Sequence, residues 1–348
     1  MQSLGIALAL ASLFVPHNAL VAQTPAQDKP VEKPKPASIY DESADAKKVI
    51  ADAVAHAKKE NRRVLVQWGA NWCHWCVKLH GLYKSDKAIA KEMLYEYDLV
   101  LVDIGEKGKN EQNHALAAQY GADLGQGVPY LTVLDGDGKV LANQETGALE
   151  DPAKVDSGGA HDATKVLGFL TQYQAKPWVA EEVRTAAFAR AKAEHKLVFE
   201  HFGAPWCGWC HKLEDWMAQP AIASLLAKDF IDLKIDQDRM TGGADMLKAQ
   251  RASVAAPEQG IPWIAFCNAD GKILAHSDAT NPKGELANTG FPAEDFEIAH
   301  FVKMLESVRI NLTPADIETL RLSLVAEHEK IEAARAKPKP AAAGAGVH

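Results

Sequence analysis

Positive charge is in short supply in this 348-residue chain: 38 Lys and Arg stand against 46 Asp and Glu, a net of −8, and no basic cluster occurs. That balance argues against nucleic acid or an anionic lipid surface as the main partner. The apolar run at residues 4–15 is also short. Its twelve positions are too few to span a bilayer core of about 30 Å, but they suit the apolar centre of a signal peptide. Cysteine is sparse, with five in the chain, four of them in two Cys-x-x-Cys pairs. A bridge closing so short a loop removes only about 2 kcal/mol of chain entropy, so stapling the fold is a poor reason to keep either pair.

What is present is one stretch written twice. Phe202-Gly203-Ala204-Pro205-Trp206-Cys207-Gly208-Trp209-Cys210-His211-Lys212-Leu213 matches Trp68-Gly69-Ala70-Asn71-Trp72-Cys73-His74-Trp75-Cys76-Val77-Lys78-Leu79, which lies 134 positions upstream. Each copy follows an apolar run and opens a helix-like segment, so its first cysteine falls where a strand hands over to a helix N-terminus. Unpaired amides and the positive end of the helix dipole favour a thiolate there, with a pKa below the free value of about 8.5. The second cysteine, a helical turn further on, is placed to attack a mixed disulfide formed at the first. Both copies lead to a Gly-x-Pro-aromatic step, Gly127-Val128-Pro129-Tyr130 and Gly260-Ile261-Pro262-Trp263. A turn follows each, Asp135-Gly136-Asp137-Gly138-Lys139 and Asn268-Ala269-Asp270-Gly271-Lys272. One architecture is therefore expected two times.

This ordered set resembles the thioredoxin superfamily through both repeats, and Leu233-Lys234-Ile235-Asp236-Gln237 and Gln119-Tyr120-Gly121 also read like its members. The resemblance implies an α/β fold of two tandem thioredoxin-like domains, each a central mixed β-sheet flanked by helices. It implies thiol–disulfide exchange, with Cys73 and Cys207 as attacking thiols and Cys76 and Cys210 as resolving thiols. Pro129 and Pro262 match the family's cis-proline, whose preceding backbone, at Val128 and Ile261, would pair with substrate beside the sulfurs. Trp72 and Trp206 would form an apolar rim for an extended polypeptide, or simply pack.

The chain departs from the family six positions before each attacking cysteine. Where the family carries a buried acid that moves a proton to or from the resolving thiol, this chain has Gln67 and His201. Gln67 cannot titrate, whereas His201, with an ordinary pKa of about 6.5, is a proton-relay candidate or a hydrogen-bonded strand residue. His74 and His211 would stabilise a nearby thiolate by charge. Cys267, inside the apolar run Trp263-Ile264-Ala265-Phe266, is expected to be an inert buried thiol.

The expected organisation is a signal peptide at 1–22, a Pro/Lys-rich linker at 23–42, thioredoxin-like domains at 43–176 and 177–310, a C-terminal helix at 311–336 and a disordered tail at 337–348. Helices are expected at 43–61, 88–94, 111–120 and 162–173, and strands at 63–68 and 97–104. The second half repeats them, with strands at 197–202 and 231–236 and helices at 180–194, 243–251 and 293–308. A surface loop is expected at 278–291. The C-terminal helix carries Ile317, Leu320, Leu324 and Ile331 on one stripe, for docking on its own domain or for a dimer contact.

Two function classes fit. The first is an exported thiol–disulfide oxidoreductase, periplasmic or secreted, with an uncleaved N-terminal anchor as the other placement. Its substrates would be protein thiols and disulfides, with a separate redox partner protein, no cofactor and no metal. The second is a metal-binding or metal-delivery protein holding copper(I) or zinc through the thiolates with His74 or His211.

Overall fold

The runs at 63–69 and 197–203 become the central strands, and nearly every residue in them is buried, as a strand covered on both faces requires. The computed structural model describes residue 1 and residues 38–336 apart from 107, 158 and 258. The expected signal peptide, most of the expected linker and the tail after 336 lie outside the described residues.

The first half runs α1 (Ala46–Glu60), β1 (Arg63–Gly69), α2 (His74–Ser85), α3 (Lys87–Glu96), β2 (Tyr97–Asp103), α4 (His114–Gln119), β3 (Tyr130–Leu134), β4 (Val140–Glu145) and α5 (Ala163–Gln172). The second runs α6 (Ala180–Glu194), β5 (Leu197–Gly203), α7 (Gly208–Ala218), α8 (Pro220–Leu226), β6 (Phe230–Asp236), α9 (Gly243–Ser253), β7 (Trp263–Cys267), β8 (Ile273–His276), β9 (Asp278–Thr280), β10 (Leu286–Asn288) and α10 (Asp295–Val308), and α11 (Pro314–Ala336) ends it. Each half builds a four-stranded sheet, in the order β2-β1-β3-β4 and β6-β5-β7-β8. In both, the central strand pairs parallel with one neighbour and antiparallel with the other.

Side-chain alternation on the central strands sends each sheet's two faces to different helices. Val64, Val66 and Trp68 pack with Ala46, Ile50, Leu116 and Ala117, while Leu65 packs with Leu79, Ile89, Val166, Phe169 and Leu170. In the second half Val198 and Phe202 join the cluster of α6 and α9, and Leu197 and Phe199 join that of α7, α8, α10 and α11.

Three segments differ from the sequence expectation. The helix expected at 111–120 begins only at His114, because Asn113 takes a left-handed φ of 59° and the preceding loop is tied to Asp103 through Gln112 and Asn113. A separate helix, α8, starts with Pro220 at its first position, where proline's fixed φ helps and its missing N–H costs nothing. The segment expected as a plain surface loop at 278–291 folds its strands β9 and β10 into an antiparallel ribbon.

The two halves meet along a polar seam. Arg239 donates to the backbone carbonyls of Glu60 and Asn61 at 2.8 and 2.7 Å and pairs with the Glu96 carboxylate at 3.0 Å. Tyr95 Oη donates to Asp238 Oδ2 at 2.9 Å.

The C-terminal helix docks on its own half. Ile317, Leu320, Leu324 and Ile331 are its buried residues, and Trp216 Nε1 donates to Ser323 Oγ at 2.9 Å. Asp229, fully buried, accepts the backbone N–H groups of Ile310, Asn311 and Leu312 and so fixes the approach to the helix. Leu320 is fully enclosed in this cluster. Leu320→Ala is expected to cost about 3 kcal/mol in urea unfolding, from lost transfer energy plus a cavity. A loss under about 0.5 kcal/mol would show that the helix is not part of the cooperative core.

Candidate active site

Each site is made by a strand, a four-residue turn and the first turn of a helix. Cys73 caps α2 and Cys207 caps α7, and in each case the sulfur accepts the N–H of the second cysteine at 3.1 Å. This is where amide donors lack intrahelical partners, so negative charge on the sulfur is stabilised. Both pairs are closed as disulfides, Cys73 with Cys76 and Cys207 with Cys210, with Cα atoms 5.2 Å apart in each. Cys76 and Cys210 lie beneath, at 0% and 1% exposure, against 5% and 3% for Cys73 and Cys207.

The Val128–Pro129 and Ile261–Pro262 peptide bonds are cis. The Val128 carbonyl oxygen lies 3.5 Å from Cys73 Sγ and the Ile261 carbonyl oxygen 3.5 Å from Cys207 Sγ. Trp72 and Trp206 are each 55% exposed beside the cysteines. Their ring N–H groups are held by the Gly105 carbonyl and by Asp238 Oδ2, both at 2.8 Å. All the expected cysteines, tryptophans and proline steps therefore assemble, one set per half.

Beneath the sulfurs the two sites differ. In the first, Gln67 Nε2 donates to Tyr40 Oη at 2.6 Å and to the Cys76 carbonyl at 3.3 Å. Tyr40 was expected in the linker, yet it is buried against both cysteines, and a side chain at Gly69 would collide with its hydroxyl and with Cys76 Sγ. Burial pushes the Tyr40 phenol well above its ordinary pKa, so neither group under the first pair titrates near neutral pH. In the second, His201 Nε2 pairs with Asp232 Oδ1 at 2.9 Å, and its buried Nδ1 has no hydrogen-bond partner. Glu214 also reaches this region: a Cβ built at Gly203 would lie 3.5 Å from Cys210 Sγ and 3.8 Å from Glu214 Oε1. Nothing in the 23–42 composition singles out Tyr40. Glu214 sits four positions after Cys210, a spacing that places it on the same helix face and was the available signal.

His74 and His211 are exposed, and His211 Nε2 pairs with the Pro205 carbonyl at 2.9 Å. Cys267 is a buried free thiol 3.6 Å from Glu200 Oε2, and burial together with that carboxylate pushes its pKa up, away from the reactive thiolate. Among the described residues no group of three or more His, Cys, Asp and Glu is placed to hold a metal ion. None of the described helices is long and apolar enough to cross a membrane.

Both halves are thus thioredoxin-like domains, each with a Cys-x-x-Cys pair at a helix N-terminus facing a cis-proline step. The chain is a member of the thioredoxin superfamily. Residues 50–157 match a family model described as a thioredoxin-like domain, and residues 163–311 match the model Thioredox_DsbH, described as a protein of unknown function, DUF255. Protein disulfide-isomerase erp38 of Neurospora crassa is 26% identical over 216 residues, covering 60% of this chain and 51% of that protein. Disulfide bond reductase DsbH of Chlamydia pneumoniae is 28% identical over 98 residues, covering 26% of this chain and 57% of that protein. The chain thus spans little more than half the length of either relative. A disulphide isomerase crystal structure from Xylella fastidiosa Temecula1 is 26% identical, with a TM-score of 0.33, and covers 38% of this chain and 95% of that one.

The tryptophan between the cysteines is covered differently in the two halves. Trp75 meets the His161 ring edge-on, with centroids 5.2 Å apart, whereas Trp209 stacks on Phe291 at 6.3 Å. His161 is 5% exposed, neither ring nitrogen has a hydrogen-bond partner, and burial, aided by Lys78, lowers its pKa to about 4. An unfolded histidine takes a proton near pH 6.5, so between that value and 4 the unfolded chain holds a proton that the folded one excludes. The resulting stability is intact above pH 6.5 and falls as the pH drops toward 4, by at most about 3 kcal/mol. His161→Phe is expected to flatten that part of the stability curve in urea titrations. An unchanged acid slope would assign the loss to other groups.

Proposed function

We propose that the protein is a thiol–disulfide oxidoreductase that exchanges disulfides with protein substrates at both cysteine pairs. The observation that carries this reading is the doubled arrangement of a helix-capping sulfur, a cis-proline carbonyl 3.5 Å away and an exposed tryptophan beside it. The names of the two curated relatives, a disulfide isomerase and a disulfide bond reductase, support the same class of reaction.

In the reducing direction, the thiolate of Cys73 or Cys207 attacks one sulfur of a substrate disulfide. A mixed disulfide forms and the other substrate sulfur leaves as a thiol. Cys76 or Cys210 then attacks the first cysteine, forming the intradomain disulfide and releasing the second substrate sulfur. Two electrons pass to the substrate, and a redox partner protein restores the dithiol; the oxidising direction runs through the same intermediates. Beside each sulfur the backbone at Val128 or Ile261 pairs with an extended substrate segment, which Trp72 or Trp206 borders. The apolar run at 4–15 supports export, which places the exchange outside the cytoplasm.

Cys76→Ala and Cys210→Ala are expected to accumulate mixed disulfides with an unfolded, disulfide-containing substrate, releasable by dithiothreitol, because the internal attack is gone. Cys73→Ala and Cys207→Ala are expected to give none at their own site. Equal trapping by both kinds of variant on non-reducing gels would contradict the assigned roles.

A further inference from the structure

The second half carries a carboxylate that shares the space over Gly203 with its resolving cysteine, and the family-derived position, six residues before the attacking cysteine, does not account for it. Glu214 lies on α7, four residues after Cys210, and is half-buried. Gly203, at the end of β5, has no side chain to separate the two: the point its Cβ would occupy lies 3.5 Å from Cys210 Sγ and 3.8 Å from Glu214 Oε1. The other carboxylate oxygen is bound at 2.9 Å by Lys234 Nζ from β6. That ammonium is shared. It also binds Glu60 Oε2, from the end of α1 in the first half, at 2.6 Å.

We propose that Glu214 is the proton acceptor for Cys210, and that Glu60 of the other domain sets its readiness through the shared Lys234. The proposal rests on the exchange reading above. In the resolving step the Cys210 S–H proton passes to the Glu214 carboxylate. The thiolate attacks Cys207 Sγ, the Cys207–Cys210 bond forms, the Cys207–substrate bond breaks, and the substrate leaves as a thiolate that takes a proton from solvent. The pair is oxidised and the substrate reduced, and Glu214 then returns its proton to solvent, so no other reactant is needed.

The groups around Glu214 define the electrostatics. Lys234 faces it from β6, and His211 Nδ1 lies 3.9 Å away on α7. His201 from β5, with its partner Asp232, lines the same cavity of about 500 Å³ between the halves, along with Glu60, Lys59, Asp236 and Arg239. Burial opposes the charge on Lys234, but Glu214 and Glu60 together hold its pKa above the ordinary lysine value. The ammonium is therefore charged throughout the working range and divides its attraction between two carboxylates. Neutralising Glu60 leaves that attraction to Glu214 alone. In the first site the matching position, four residues after Cys76, holds His80 in place of a carboxylate, and the point that a Gly69 Cβ would occupy beside Cys76 Sγ is taken by Tyr40 Oη.

The test uses the full chain with Cys73 and Cys76 both changed to Ser, so that only the second site reacts, and follows release of a mixed disulfide preformed on Cys207 across pH 4.5–9. Glu214→Gln is expected to slow release roughly 10²-fold near pH 7 and to remove the acid limb of the pH profile, with Glu214→Asp restoring part of both. Glu60→Gln is expected to keep the acid limb but move it to lower pH, because the Lys234 ammonium then serves Glu214 alone. Circular dichroism and the urea midpoint of each variant separate these effects from misfolding, since a folding defect alone would not shift the limb. If Glu214→Gln releases substrate with the parent's rate and profile, or if His201→Gln abolishes the acid limb while Glu214→Gln does not, the assignment to Glu214 is overturned. A Glu60→Gln profile that coincides with the parent's overturns the cross-domain control. A parent protein that forms no mixed disulfide with any substrate overturns the exchange reading itself, an outcome distinct from the others.

Discussion

The structure at either site depends on a sulfur atom capping a helix. Because Cys73 and Cys207 occupy cap positions, their sulfurs meet amide donors that α2 and α7 cannot satisfy internally. Thiolate stabilisation and the one-turn offset to the second cysteine follow from that placement, and the proline step reaches the sulfur because β3 and β7, which it leads into, pair with β1 and β5. The central strands β1 and β5 make it possible: buried on both faces, they end at a fixed depth and deliver the chain to the helix start.

Above the sulfurs the two sites are near copies, with the same 3.5 Å approach of a carbonyl oxygen and the same tryptophan exposure. Beneath them they diverge. The first pair rests on Tyr40 and Gln67, hydrogen-bonded to each other, while the second has Glu214 near Cys210, held by a lysine shared with the first half. The seam between the halves therefore lies next to the chemistry of the second site. Asp238 makes the same point at the rim, since it binds both Trp206 of the second site and Tyr95 of the first half. The duplicated architecture thus carries two different proton environments.

Much of this was legible in the sequence, because the signals are local. The cysteine spacing, the Gly-x-Pro step and the apolar runs each act within a few residues, and they located the central strands, the helix starts and the two candidate sites. The C-terminal stripe of Ile317, Leu320, Leu324 and Ile331 was equally readable, as a 3.6-residue period buried on one side. What escaped depends on distant partners. Tyr40 stands in a Pro- and Lys-rich context and finds its place only because Gln67 and the cysteines, far along the chain, offer it one. Glu214 reads as an ordinary surface acid of an amphipathic helix until β6 brings Lys234 beneath it. The shortened α4 escaped for a related reason: Asn113 is held in a left-handed turn by its side-chain amide donating to the Asp103 carbonyl, which overrides the helical pattern around it.

The central claim is that both pairs are reversible redox couples, and it is tested most directly by equilibrating the full chain with glutathione buffers of graded potential. Alkylation and peptide mass spectrometry then read the oxidised fraction of each pair. The account predicts two separate two-electron transitions, one for Cys73–Cys76 and one for Cys207–Cys210, with Cys267 unmodified throughout until the protein is unfolded. A pair that stays oxidised or stays reduced across the whole range, or a transition that involves Cys267, would contradict it.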